Sequence, residues 1–217
     1  MHHPVETAVA TAAALVALAF ALSTFERWQA RRRRHEAAWS VALLLFAVAA
    51  GALAAGAQGG WSGPVFRVFY LFGAITNVAW LALGTVFIVA PRFGRVALLM
   101  VLALCVVAAY AVFASPVNIA VAVDTGKGYP DGSLPRILAA IGSGVGSLVL
   151  IGGALWSAWV FLRRRNQGRR AVANAVIAIG VFIVAAGGTV AFTGASGILE
   201  LTNLVGVSVM FVGFLLI

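Results

Sequence analysis

ERWQARRRRHEA, residues 26–37, separates two apolar runs, each near the ~20 residues that a helix needs to cross a bilayer. Two further arginine-rich breaks, APRFGR at 90–95 and RRRNQGRR at 163–170, fall between later apolar runs. Together the three connections carry twelve of the fifteen Lys and Arg residues, against Glu26 and Glu36. The rest of the chain carries Arg67, Lys127 and Arg136 against Glu6, Asp124, Asp131 and Glu200. Basic residues cluster on alternate connections, as the positive-inside rule requires of a multi-pass membrane protein.

Composition agrees. The 217 residues are 63% hydrophobic and 10% charged, with a mean hydropathy of +1.05, values that a water-soluble domain would not carry without aggregating. A net charge of +9 in a soluble protein would raise nucleic-acid binding. Here the position of the charge accounts for it, and no nucleic-acid partner is expected. The start, MHHPVETAV, lacks a positive n-region, and the charge follows the first run instead, which reads as an uncleaved anchor with its N-terminus outside.

The runs predict an all-α bundle of seven transmembrane helices, at about 5–25, 38–57, 65–89, 97–115, 135–162, 171–192 and 197–217, in a single domain spanning 1–217. An odd number of crossings puts the C-terminus in the cytoplasm. The remaining connections are QGGWSGP, the segment 116–134 and TGASG. Trp28, Trp39, Trp61 and Trp159 lie near predicted helix ends, where indoles favour the headgroup region. A gapless shift that superposes Leu71 on Leu204 and Gly73 on Gly206 also sets Arg67 on Glu200 and aligns the first and last arginine clusters. It suggests a 3+1+3 order of parallel repeats with the fourth helix as linker. Chance matching in a chain rich in Ala, Val, Leu and Gly is the competing account.

Several chemistries lack their residues. His2, His3 and His35 lie outside the apolar runs, so no intramembrane bis-His haem or His-ligated zinc is expected. The one lysine, Lys127, is in a loop, which disfavours a retinal Schiff base. No HExxH and no Ser beside a His occurs at membrane depth. No catalytic, cofactor or metal residue is therefore assigned, and the chain is expected not to be an enzyme. Cys105, alone in an apolar run, is a packing residue. In the outer loop DTGKGYPDG, at 124–132, Gly, Pro and Asp read as turns.

The third run is the most patterned. Phe66, Tyr70, Gly73, Asn77, Trp80, Gly84 and Phe87 recur at spacings of four and three, which on a regular helix is one face. A mid-membrane amide between aromatic walls fits a solute cavity; it equally fits a packing seam in which Asn77 bonds a neighbour for roughly 1 kcal/mol. The seventh run offers Glu200 and Asn203 beside Gly206, Met210 and Gly213. Glu200 and Arg67 either pair at the outer mouth or reach the interface separately. Gly142 and Gly146, at GxxxG spacing with Ser143 and Ser147, permit close approach of another helix.

GGWSGPVFRVFYLFGAITNVAWLALGTVFI (59–88), with the preceding RRRRHEAAWS (31–40), resembles a group of small seven-span membrane proteins of high-GC bacteria to which no activity is assigned. That resemblance implies only a seven-helix fold and a bacterial membrane location. In layout the chain is similar to SWEET-type transporters, but it has no Pro-Gln pair, so their sugar site does not carry over. The expectation is a multi-pass protein of the plasma (inner) membrane that binds or transports a small solute. Arg67, Tyr70, Asn77, Trp80, Glu200 and Asn203 line or gate its cavity, between helices three, six and seven. The alternative is a sensory or assembly subunit acting through a separate protein partner. Lipids are the standing partners, with anionic headgroups at the arginine clusters; self-association is also open.

Overall fold

The structure is a computed structural model that describes residues 4–120, 128–163, 168–191 and 198–216. Asp124, Lys127, Arg164, Arg165 and the TGASG turn lie outside them. Among the described residues there are seven helices and no strand: α1 (Pro4–Arg31), α2 (Arg34–Gly59), α3 (Gly63–Val89), α4 (Pro91–Ala114), α5 (Leu134–Ala139, Ala140–Val145 and Gly146–Arg163), α6 (Gly168–Ala191) and α7 (Ile198–Leu215). Six are long and apolar enough to cross a membrane, and α6 carries a shorter apolar stretch, Ala175–Gly187. A multi-pass helical bundle follows.

Helix starts are written in the sequence. Pro64, Pro91 and Pro135 each occupy a first turn, where the missing N–H costs nothing. The Arg-rich connection is shorter than its charge suggests. α1 continues to Arg31 and α2 begins at Arg34, because Gln, Ala, Arg and Glu are good helix formers. The reversal falls on Arg32 and Arg33, with Arg32 at φ 52°, a left-handed conformation unfavourable for a side chain with a Cβ.

Six helices form a closed ring in the order α1–α2–α3–α5–α6–α7, with α7 returning to α1, while α4 lies outside against α3 and α5. Small residues let the ring close. Ala10, Ala13, Ala17 and Ala21 of α1 are buried, as are Ala38, Ala42, Ala49 and Ala50 of α2. Gly206 and Gly213 of α7 sit against the Gly180 and Ala173 carbonyls of α6. The linker position of α4 suits a 3+1+3 layout. The two triplets differ in detail, however: α3 contains a π turn that α7, its counterpart under the alignment, does not.

The α3–α5 contact joins two π turns, Tyr70–Thr76 and Ala140–Val145. Gly142 lies against the Ile75 carbonyl, Gly146 against Val78 and Gly153 against Thr85, so these three glycines of α5 form its packing face on α3. Ser143 Oγ donates to the Ala74 carbonyl at 2.5 Å, and Thr76 Oγ1 to the Leu71 carbonyl at 3.0 Å.

Adding one methyl at Gly142 drives a Cβ into the Ile75 carbonyl, whereas a Cβ at Gly144 meets nothing within 4 Å. Gly142→Ala is expected to destabilise the fold by roughly 1–3 kcal/mol, and Gly144→Ala to be neutral or stabilising by up to about 1 kcal/mol. Thermal denaturation of both variants in one detergent checks this; equal midpoints would show that the seam is not tight.

Candidate functional site

The third helix does not present its patterned residues on one face. Its π turn adds a residue to the local repeat, so positions on either side no longer share the register that regular 3.6-residue spacing implies. Gly73 faces Ala49 of α2, whose Cβ would stand 3.2 Å from a Cβ added there, and Gly84 receives the indole of Trp39. Tyr70 points elsewhere, its ring 4.9 Å from Tyr129 and 5.7 Å from Phe66. Trp80 is half-buried and lies beside Cys105 of α4, outside the ring. Asn77 is buried, and its Oδ1 accepts the Val78 N–H at 2.6 Å, a local bond at the end of the π turn.

Arg67 turns outward as well. Its Nε and Nη2 donate to the Val112 and Ser115 carbonyls, each at 3.2 Å, at the C-terminal end of α4. Carbonyls there lack helical partners and form the negative end of the helix dipole. Tyr129 Oη donates to the same Val112 carbonyl at 2.9 Å. Burial pushes the Tyr129 phenol above its ordinary pKa, and the neighbouring Arg67 opposes that rise. Among the described residues no ion pair joins Arg67 to Glu200, whereas Arg136 pairs with Asp131. Glu200 and Asn203 are both buried on α7. Arg67, Tyr70 and Trp80 thus lie on the α4 side, Asn77 at the end of the π turn, and Glu200 with Asn203 on α7.

A cavity lies elsewhere, between the ring helices toward their arginine-rich end. All six ring helices contribute: Phe20 from α1, Trp39 and Leu43 from α2, Leu81 and Thr85 from α3, Ala154 and Ser157 from α5, Ile177 and Val181 from α6, Met210 and Phe214 from α7. Its volume is about 120 Å³. An apolar cavity of roughly 150 Å³ elsewhere takes a benzene ring and stays dry, so this one suits a single ring or a short alkyl segment. Trp39 Nε1 and Thr85 Oγ1 both donate to the Leu81 carbonyl, at 3.2 and 3.3 Å, which leaves the walls nearly apolar.

Trp39 is therefore a wall of the cavity as well as a residue near a helix end. Gly84 was the available signal, since it makes the room that the indole fills. At the rim, the Arg27 guanidinium stacks 3.9 Å from the centroid of the Phe214 ring, and the His35 ring meets Trp39 edge-on at 5.2 Å. Glu36, one turn from Trp39, is 4% exposed.

No family model, curated protein or solved structure matches this chain. The site therefore stands on its own geometry.

Two outcomes follow. Arg67→Leu leaves the Val112 and Ser115 carbonyls short of donors and is expected to lower stability by roughly 1–3 kcal/mol, read as a fall in thermal midpoint. With Cys105 replaced by Ser, a thiol at position 85 is expected to react with a small thiosulfonate in the folded protein, and one at position 77 only after denaturation. Equal protection at both positions would mean that the cavity is sealed.

Proposed function

We propose that this integral membrane protein binds the apolar limb of a small amphipathic molecule within the ring, reached from the arginine-rich end. The carrying observation is the 120 Å³ cavity to which six helices each contribute a wall. Pockets built at helix junctions from apolar side chains with few polar groups are the usual form of small-ligand sites. The bias of arginine supports a reading in which the mouth is on the cytoplasmic side of a plasma (inner) membrane, with the N-terminus outside and the C-terminus inside. Anionic headgroups are the natural neighbours of Arg31–Arg34.

A second reading, a sensory or assembly subunit with a separate protein partner, is favoured by α4. Its outward face exposes Leu99, Met100, Val106 and Tyr110. Lipid covers such a face equally well, so the cavity reading stands first.

Octanol carrying a diazirine, photolysed with the protein in lipid nanodiscs, tests the proposal. Adducts are expected on Leu43, Leu81 or Ile177, and Ala154→Phe, which fills the cavity, is expected to reduce them at least threefold. Adducts confined to the lipid-facing side of α4, with no response to the filling substitution, would sink the idea.

A further inference from the structure

We infer that the ligand of this cavity is an amphipathic cation, with its slender apolar limb inside the ring and its positively charged head at Glu36. This rests on the binding reading above and names its ligand class. Glu36 is 4% exposed, and its Oε2 has no hydrogen-bond partner among the described residues. A carboxylate taken out of water without a partner is costly, and such an orphan calls for an explanation.

Position supplies one. Glu36, Trp39 and Leu43 follow one another at i, i+3 and i+7 on α2, which is one stripe of a regular helix. Trp39 and Leu43 are walls of the cavity, and the stripe continues one turn beyond them, toward the arginine-rich end, to Glu36. Glu36 also lies in the first turn of α2, where unpaired backbone N–H groups favour negative charge. A carboxylate only accepts, so the complementary head brings positive charge and N–H donors. The aromatic surroundings agree, because Trp39 and Phe214 offer ring faces to a cation and Phe214 already carries one, the Arg27 guanidinium.

The nearby arginines do not take this role. Arg27 is committed to Phe214, with Nη2 3.5 Å from the Phe214 carbonyl, and Arg31–Arg34 are exposed. Among the described residues none lies within ion-pair distance of Glu36. An anionic head would meet the buried carboxylate directly, and a neutral one would gain a hydrogen bond without the charge.

Isothermal titration of the full chain in nanodiscs of zwitterionic lipid, against empty nanodiscs, compares octylammonium, octanol and octanoate, which share one apolar limb. Octylammonium is expected to bind at least tenfold more tightly than octanol, and octanoate more weakly than either. Glu36→Gln is expected to remove at least tenfold of the octylammonium affinity and leave octanol unchanged. Glu36→Asp, which keeps the charge, is expected to stay within about threefold of the parent and serves if the Gln variant does not fold. If octanol and octanoate bind as tightly as octylammonium, or either variant ignores the charge rule, the cation assignment is wrong while the diazirine adducts still support the cavity. If no probe binds and the adducts avoid the ring interior, both readings fall.

Discussion

Ser143 reaching across to the Ala74 carbonyl marks the constraint from which the rest of this structure follows. In hydrocarbon every backbone carbonyl and amide has to find a partner within the protein. A π turn disturbs the regular ladder, so the residues around it repair the loss locally: Thr76 bonds Leu71, Asn77 bonds Val78, and Ser143 crosses from the neighbouring helix. Gly142 makes that crossing possible by admitting the Ile75 carbonyl where any Cβ would stand. The contact joins the first three helices to the last three. Gly153 against Thr85 extends the same seam toward the arginine-rich end, and there the ring helices line the cavity.

The seven helices were legible because a bilayer imposes a length threshold that apolar runs either meet or miss. The predicted run 65–89 and the helix Gly63–Val89 differ by two residues at one end. Charged segments were read as loop, although Arg31 and Arg34 are helical, because hydropathy records where the chain leaves lipid and not where its helix ends. The site was less legible for two physical reasons. Periodicity assumes a constant turn, and the π turn of α3 sends Tyr70 and Trp80 toward α4 while Gly73 and Gly84 face α2. In addition, lipid-facing and cavity-facing positions are both apolar. Nothing in the letters separates Leu43, which lines the cavity, from Leu44, which faces outward. Glu36 was read only as an offset to neighbouring arginines, and burial is what distinguishes it.

Two arginines show how far charge counting carries. Arg67 and Arg27 each reach carbonyls at the C-terminal end of a helix, α4 and α7 respectively. The same physics serves both ends of the bundle: a cation offsets the negative end of the dipole and satisfies carbonyls that have no helical partner. Arg67 does this on the connection side that is poor in arginine, which is why its charge looked available for Glu200 when only the sequence was considered. Side chains already bound to backbone are not available to a ligand, and this separates structural arginines from the exposed cluster Arg31–Arg34.

That separation bears on how a carboxylate can recognise a cation beneath a basic surface. Exposed guanidinium groups sit in water or among phosphates, where charge is screened over about 8–10 Å at ordinary ionic strength. Glu36 sits inside the protein, where the effective dielectric is lower and a contact at hydrogen-bond distance is felt far more strongly than an exposed charge a turn or two away. Exposed arginines of this kind act on orientation and on anionic headgroups in general, through screened surface charge. The buried acid beside an apolar, aromatic cavity sets which head a bound molecule can bring with it. Both properties arise within four residues of sequence, Arg33 to Glu36, because a helix turns successive side chains by about 100° and divides neighbours between water and core.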